Sequence, residues 1–106
     1  MKVKVCRTLL SQARGLMFSK KKNLLFVFKY PKHVDLHMIF VFFPVDAIYL
    51  DEYMNVLEIK HMRPFWPYYR SKNKVKFVLE STEKHNFVLG DKLFIKNNEV
   101  KKLKQD

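Results

Sequence analysis

The stretch that decides the fold is HMIFVFFPVDAIYL, residues His37–Leu50. It is almost wholly apolar, yet it contains one histidine, one proline and one carboxylate. Its β-branched and aromatic residues predict a strand over Val34–Phe43 that ends at Pro44, and a further extended segment over Ala47–Leu50. Because an unpaired carboxylate is costly among apolar side chains, Asp46 is expected to have specific partners or a function.

The sequence on both sides of this stretch predicts further short strands. Asp51–Asn55 is typical of a turn, and the extended pattern of Asn55–Met62 predicts a returning strand and therefore a hairpin. Other strands are expected at Val3–Val5, Leu24–Phe28, Lys74–Glu80 and Lys92–Lys96, with a last short one after Asn97–Asn98.

One helix is predicted near the N-terminus. Apolar residues recur at helical spacing within Thr8–Phe18, and Gly15 marks a position where that helix ends or bends. We therefore expect a mostly β fold, a small barrel-like or sandwich domain of about seven short strands with one short helix.

Length and composition predict one domain over residues 1–106, with a frayed tail over 101–106. Cys6 is the single cysteine, which excludes an internal disulfide and fits a reducing compartment. No signal-peptide pattern is present, and the longest apolar run, Met38–Val45, is far shorter than the ~20 residues of a spanning helix. A cytoplasmic protein without membrane contact is expected.

The net charge of +11 has two interpretations. It predicts either a basic surface that binds nucleic acid or another polyanion, or a lysine-rich proteome such as that of a heat-loving organism. Nucleic-acid recognition favours arginine, and lysine supplies most of the positive charge in this chain.

Three polar residues stand in otherwise apolar surroundings: Arg14, His37 and Asp46. If they converge, with Asp46 paired to Arg14 or hydrogen-bonded to His37, they form a pocket for a small polar or anionic ligand. Alternatively, Asp46 is structural and accepts backbone N–H bonds at the bend that follows Pro44.

The segment RPFWPYYR, residues 63–70, interleaves rings with cations and borders the expected pocket. Arg63, Trp66 and Tyr68 are its candidate ligand-binding residues. The rings could form a stacking platform for bases or sugars. They could equally form a rigid cap over the core.

Motifs for catalysis and cofactors are missing from the sequence. It has no nucleophile elbow, Walker loop or dinucleotide fingerprint, and its histidines and single cysteine lack zinc spacing, so we predict no metal and no cofactor. A small acid–base enzyme that uses His37 and Asp46 stays open, but a binding role is favoured over an enzymatic one.

The chain also resembles the uncharacterised Domain of Unknown Function 192 family, particularly its archaeal members. The matching motifs, in chain order, are Arg14–Phe18, Leu24–Phe28, His37-Met38, Pro44–Asp46, Tyr49–Asp51, Val56–Ile59, Arg63-Pro64, Tyr68, Val78–Glu80 and Gly90–Leu93. Many bacterial members have Trp-Met-Lys-Asn where this chain has His37–Phe40, so the polar Lys-Asn pair is absent. The resemblance implies a small β-barrel-like fold with a short helix and no established activity.

Overall fold

In a computed structural model, which describes residues 1–8 and 15–103, the protein is built from strands. The nine strands of this part of the chain are β1 Lys4–Cys6, β2 Leu24–Lys32, β3 Asp35–Leu36, β4 Val45–Leu50, β5 Val56–Met62, β6 Tyr69–Arg70, β7 Val75–Ser81, β8 Leu93–Lys96 and β9 Glu99–Lys102. The predicted β class is confirmed.

Five of these strands form one sheet in the order β1-β2-β7-β4-β5. β1 and β2 are parallel, and every other pair in the sheet is antiparallel. The predicted hairpin is confirmed as β4 and β5, and β8 and β9 form a second hairpin. β3 and β6 pair separately.

The C-terminal part of the stretch His37–Leu50 forms β4, which lies between β7 and β5. Ala47–Leu50 have no exposed surface, because apolar layers cover both faces of the sheet. One layer includes Phe26, Met38 and Val41, and the other includes Ile48 and Leu93 of β8. A strand that is buried on both faces reads as a continuous apolar run rather than an alternating one.

Two parts of the predicted fold are corrected. β1 and β5 are the edges of the five-stranded sheet, so over the residues described the sheet is open and is not a barrel. The predicted helix is not seen: residues 15–18 form a turn, and residues 9–14 of that prediction lie outside the described residues.

The predicted strand over Val34–Phe43 is also mostly wrong. Only Asp35–Leu36 is a strand. A tight turn follows, in which the N–H of Val41 donates to the carbonyl of Met38 at 3.0 Å, and Phe40 has a φ of 56°. β-propensity predicted an extended chain, whereas burial of Met38 and Val41 under the sheet bends it.

In the described part of the chain, no helix is long and apolar enough to cross a membrane.

Candidate functional site

A cavity of about 230 Å³ lies between the apolar face of the sheet and two segments that cover it. One segment is a turn that contributes residues 15–17, and the other is β3 with the turn after it, which contributes residues 35–38 and 41. Phe26 of β2 and Glu80 of β7 form the sheet side. Most of the described lining residues are apolar, and the polar side chains among them are Asp35, His37 and Glu80. A cavity of this size and lining suits a small organic molecule.

Glu80 is the chemically unusual residue of this wall. Its register partners are Leu24 on β2 and Ala47 on β4, so the carboxyl group lies on the apolar face in the middle of the sheet. Glu80 is only 5 % exposed, and burial raises its pKa from 4.5 to about 7. Its Oε1 atom has no hydrogen-bond partner among the residues described. A buried, unsatisfied carboxyl oxygen is costly and calls for a ligand or a functional reason.

A second unpartnered polar atom in the described structure is the hydroxyl of Tyr49. Tyr49 is fully buried on β4, and burial, followed by the nearby carboxylate of Glu58, raises the pKa of its phenol. Unlike the Tyr49 hydroxyl, the carboxylate of Glu58 has hydrogen-bond partners. It accepts hydrogen bonds from the Tyr69 hydroxyl and from the backbone N–H of Lys72. Burial and that hydrogen bond raise the pKa of Tyr69 to about 12, so both phenols stay neutral at physiological pH.

The loop over residues 63–70 braces the rim of the cavity. The N–H of Met38 donates to the carbonyl of Trp66 at 2.7 Å, which ties the cavity loop to the aromatic loop. Asp35 accepts hydrogen bonds from the Tyr68 hydroxyl at 2.8 Å and from Arg70 at 3.2 Å. Trp66 and Tyr68 therefore support the rim.

His37 lines the cavity and is exposed to solvent. Its Nδ1 accepts the N–H of Ile39 at 3.2 Å, which fixes the start of the turn. The expected hydrogen bond between His37 and Asp46 is not formed. His37 is thus a residue of the cavity rim with a free face toward solvent.

Asp46 belongs to a different cluster, because strand alternation places it on the face of β4 opposite to Ala47. Its Oδ1 is 2.5 Å from Nδ1 of His61, and its Oδ2 is 2.7 Å from Nε2 of His85. His85 is nearly buried and stacks on Phe87, with ring centroids 5.3 Å apart. Each carboxylate oxygen has an imidazole partner, so this cluster fulfils the prediction that Asp46 has specific partners.

Two predicted site residues remain, Arg14 and Arg63. Arg14 lies outside the described residues. The guanidinium of Arg63 packs 5.3 Å from the centre of the Trp66 ring, which Lys60 also approaches at 5.0 Å. No group of three or more His, Cys, Asp or Glu side chains capable of holding a metal occurs in residues 1–8 and 15–103.

The candidate ligand-binding residues predicted from the sequence did not include Glu80 or His85. Glu80 ends an alternating strand, a position typical of solvent exposure, and its burial depends on β7 lying between β2 and β4. His85 lies in an irregular segment. The usable signal was the demand of Asp46 for partners, which the residues near it in sequence do not satisfy.

Comparison with other proteins identifies the family of this chain. The family model DUF192, described as "Uncharacterized ACR, COG1430", matches residues 1–103. The chain belongs to this family, which confirms the resemblance found in the sequence.

Two curated relatives are archaeal proteins named UPF0127. The protein of Thermococcus sibiricus is 32% identical over 84 residues, which are 76% of this chain and 54% of that protein. The protein of Thermococcus kodakarensis is 32% identical over 83 residues, 74% of this chain and 52% of that protein. The chain thus spans about half the length of the curated relatives it matches.

Two solved structures share the fold. A protein of unknown function from Novosphingobium aromaticivorans has a TM-score of 0.70 at 23% identity, covering 76% of this chain and 61% of that one. A putative transcription regulator from Sinorhizobium meliloti has a TM-score of 0.71 at 21% identity, covering 76% of this chain and 67% of that one. At these identities the likeness shows the fold alone.

Proposed function

We propose that the protein is a binding module for a small organic ligand in the cavity beside Glu80. The observation that carries the proposal is the Oε1 of Glu80, which has no partner among residues 1–8 and 15–103 and lies in a wall whose described residues are mostly apolar. A ligand with an apolar body and one hydrogen-bond donor would satisfy that oxygen and cover the apolar wall.

The charges of the described wall favour a donor ligand over an anion. Asp35 and Glu80 are both carboxyl groups, and His37 is the one basic side chain among the described lining residues. The anionic ligand considered from the sequence depended on Arg14. An amine or a neutral amide fits the described wall better, since an amine would pair with ionised Glu80 and an amide would donate to it.

The test uses three probes that share one ring: benzylamine, benzamide and benzoate. Binding is followed by chemical shifts of the Met38 and Leu16 methyl groups, which line the cavity. We expect benzylamine and benzamide to shift these signals saturably and benzoate to leave them unchanged. Benzylamine should bind more tightly as the pH rises from about 6 to about 8, because Glu80 ionises with a pKa of about 7.

Glu80→Gln supplies the matched variant, and Glu83→Gln is its control at an acid outside the cavity lining. Glu80→Gln should remove the pH dependence of benzylamine binding, and Glu83→Gln should keep it. Saturable binding of benzoate alone, or no methyl shift with any of the three probes, would refute the proposal.

Nucleic-acid binding stays the second proposal. The net charge of +11 supports it, and one structurally similar protein is titled a putative transcription regulator. Phosphate contacts would make such binding fall steeply with salt. A titration with duplex DNA at two salt concentrations tests it, and affinity that does not change with salt would exclude it.

A further inference from the structure

Four exposed phenylalanines form one continuous patch beside the cavity. Phe18, Phe40, Phe42 and Phe65 are between 42% and 64% exposed. Phe18 and Phe40 stack with centroids 4.5 Å apart, Phe40 lies 6.3 Å from Phe65, and Phe42 lies 5.1 Å from Phe65. We call these four rings the phenylalanine patch. Contiguous exposed apolar surface of this kind marks an interaction site.

Three of the four rings stand on tight turns of the same design. In Leu16–Ser19, Met38–Val41 and Arg63–Trp66, the N–H of the fourth residue donates to the carbonyl of the first, at 3.1, 3.0 and 3.2 Å. The third residue of each turn is a phenylalanine with positive φ: 54° at Phe18, 56° at Phe40 and 61° at Phe65. Glycine or asparagine is favoured at that position, so a bulky ring there is costly in all three turns.

The turns are also tied to one another. The N–H of Phe18 donates to the carbonyl of Phe40 at 2.9 Å, and the N–H of Met38 donates to that of Trp66 at 2.7 Å. The backbone therefore holds the rings in a fixed arrangement before any partner binds. Such preorganisation lowers the entropic cost of association.

The charge around the phenylalanine patch indicates the partner. The three segments that carry the rings, residues 15–22, 37–44 and 63–72, contain no Asp or Glu. They do contain exposed Lys20, Lys21 and Arg63 beside the rings in sequence. An apolar patch with basic residues at its border complements a surface whose outer layer is anionic and whose interior is apolar.

We infer that the phenylalanine patch docks this protein on the surface of a bilayer that contains anionic lipids. The rings enter the boundary between headgroups and acyl chains, and the basic side chains contact the headgroups. This inference departs from the expectation of no membrane contact, which rested on the lack of a segment long enough to span a bilayer, because surface docking needs no such segment. A second copy of this chain is a poor occupant, because each copy has a net charge of +11.

Single-stranded nucleic acid is the main competing partner, and the ring geometry disfavours it. Base stacking needs open ring faces. Phe40 has Phe18 stacked on its ring and Phe65 at its side, and Phe65 contacts both Phe40 and Phe42. Neighbouring rings therefore occupy part of the surface that a base would need, although each ring keeps a large exposed fraction.

The test uses sedimentation with vesicles, either of phosphatidylcholine alone or of equal parts phosphatidylcholine and phosphatidylserine. We expect binding to the phosphatidylserine vesicles, with a partition coefficient at least about tenfold above that for phosphatidylcholine alone. Trp66, the single tryptophan, follows Phe65 in the third turn. Its fluorescence should therefore be quenched by bromine-labelled acyl chains on binding.

The triple variant Phe18→Gly, Phe40→Gly and Phe65→Gly removes three rings at positions where glycine suits the backbone. It should reduce the partition coefficient at least about tenfold. Phe42→Ser, outside the three turns, tests the patch separately and should reduce it by about three- to tenfold. Tyr53→Ser is the control, since Tyr53 is 66% exposed in the turn at the other end of the β4–β5 hairpin.

Two results would overturn the inference. The first is the absence of binding to phosphatidylserine vesicles, and binding to a thymidine oligonucleotide that the triple variant loses would then identify nucleic acid as the partner. The second is vesicle binding that Phe42→Ser and the triple variant leave unchanged. The benzylamine titration serves as a separate readout, so failure of docking is distinguishable from failure of the cavity proposal.

Discussion

Asp46 and Glu80 are close neighbours in the sheet and have opposite environments. Asp46 pairs in register with Ser81, and Glu80 pairs with Ala47, so the two acids lie one register step apart on β4 and β7. Asp46 faces one side of the sheet, where His61 and His85 each take one of its oxygens. Glu80 faces the other side, where its Oε1 has no partner among the described residues.

This difference means that the carboxylate of Asp46 stabilises the fold and that of Glu80 destabilises it. An acid whose oxygens accept hydrogen bonds, such as the partly exposed Asp46, contributes to stability, whereas a buried and unsatisfied one costs the desolvation of its oxygens. Evolution tolerates such a cost mainly where the group has a function. The comparison therefore favours the structural alternative for Asp46 and supports the proposed role of Glu80 in ligand binding.

The largest expected effect is the pH dependence of stability that Glu80 imposes. Its pKa is 4.5 in the unfolded reference and about 7 in the fold, so between these values the native state holds a proton that the unfolded state has released. The free energy of unfolding then falls as pH rises through this range, by about 3 kcal/mol, and levels off above it.

Urea unfolding of the wild type and Glu80→Gln at several pH values measures this contribution, since other titrating groups cancel in the difference. As the pH rises from about 4.5 to about 7, we expect the free energy of unfolding of Glu80→Gln to increase relative to that of the wild type by about 3 kcal/mol. A constant difference across that range would mean that Glu80 titrates normally, and the contrast with Asp46 would collapse.

The second effect is the loss of stability in Asp46→Ala. This change leaves the nearly buried imidazole of His85 without its acceptor, so we expect a loss of about 2 kcal/mol in the free energy of unfolding. Benzylamine binding should stay as in the wild type, because Asp46 lies on the other face of the sheet. Weakened binding in a folded Asp46→Ala protein would return Asp46 to the binding site.

The sequence predicted the strands near this cluster better than it predicted their partners. Periodicity and β-propensity placed β5, β7 and the β8–β9 hairpin, because each depends on residues within one segment. The strand predicted over Val34–Phe43 failed, because tertiary packing of Met38 and Val41 overrides local propensity.

The site was predictable only in part for the same reason. His37, Trp66 and Tyr68 do gather at one rim, which their motifs suggested. Glu80 enters the cavity because β7 is a central strand of the sheet, and strand order depends on pairings between residues distant in the chain. One sequence contains no direct signal of such pairings.

The smallest expected effect separates the two partners of Asp46. His85 is 9% exposed, and its Nδ1 also accepts the N–H of Phe87, so His85→Ala removes a buried bond, a turn contact and a ring stack. We expect His85→Ala to lower the free energy of unfolding by about 1–2 kcal/mol.

His61 is 67% exposed, and His61→Ala should lower the free energy of unfolding by less than about 0.5 kcal/mol, because exposed pairs contribute little. Urea unfolding of both variants checks the order. Equal losses would mean that burial of the imidazole does not determine what each partner contributes, and the stability of the cluster would then depend on the Asp46 carboxylate rather than on the buried His85.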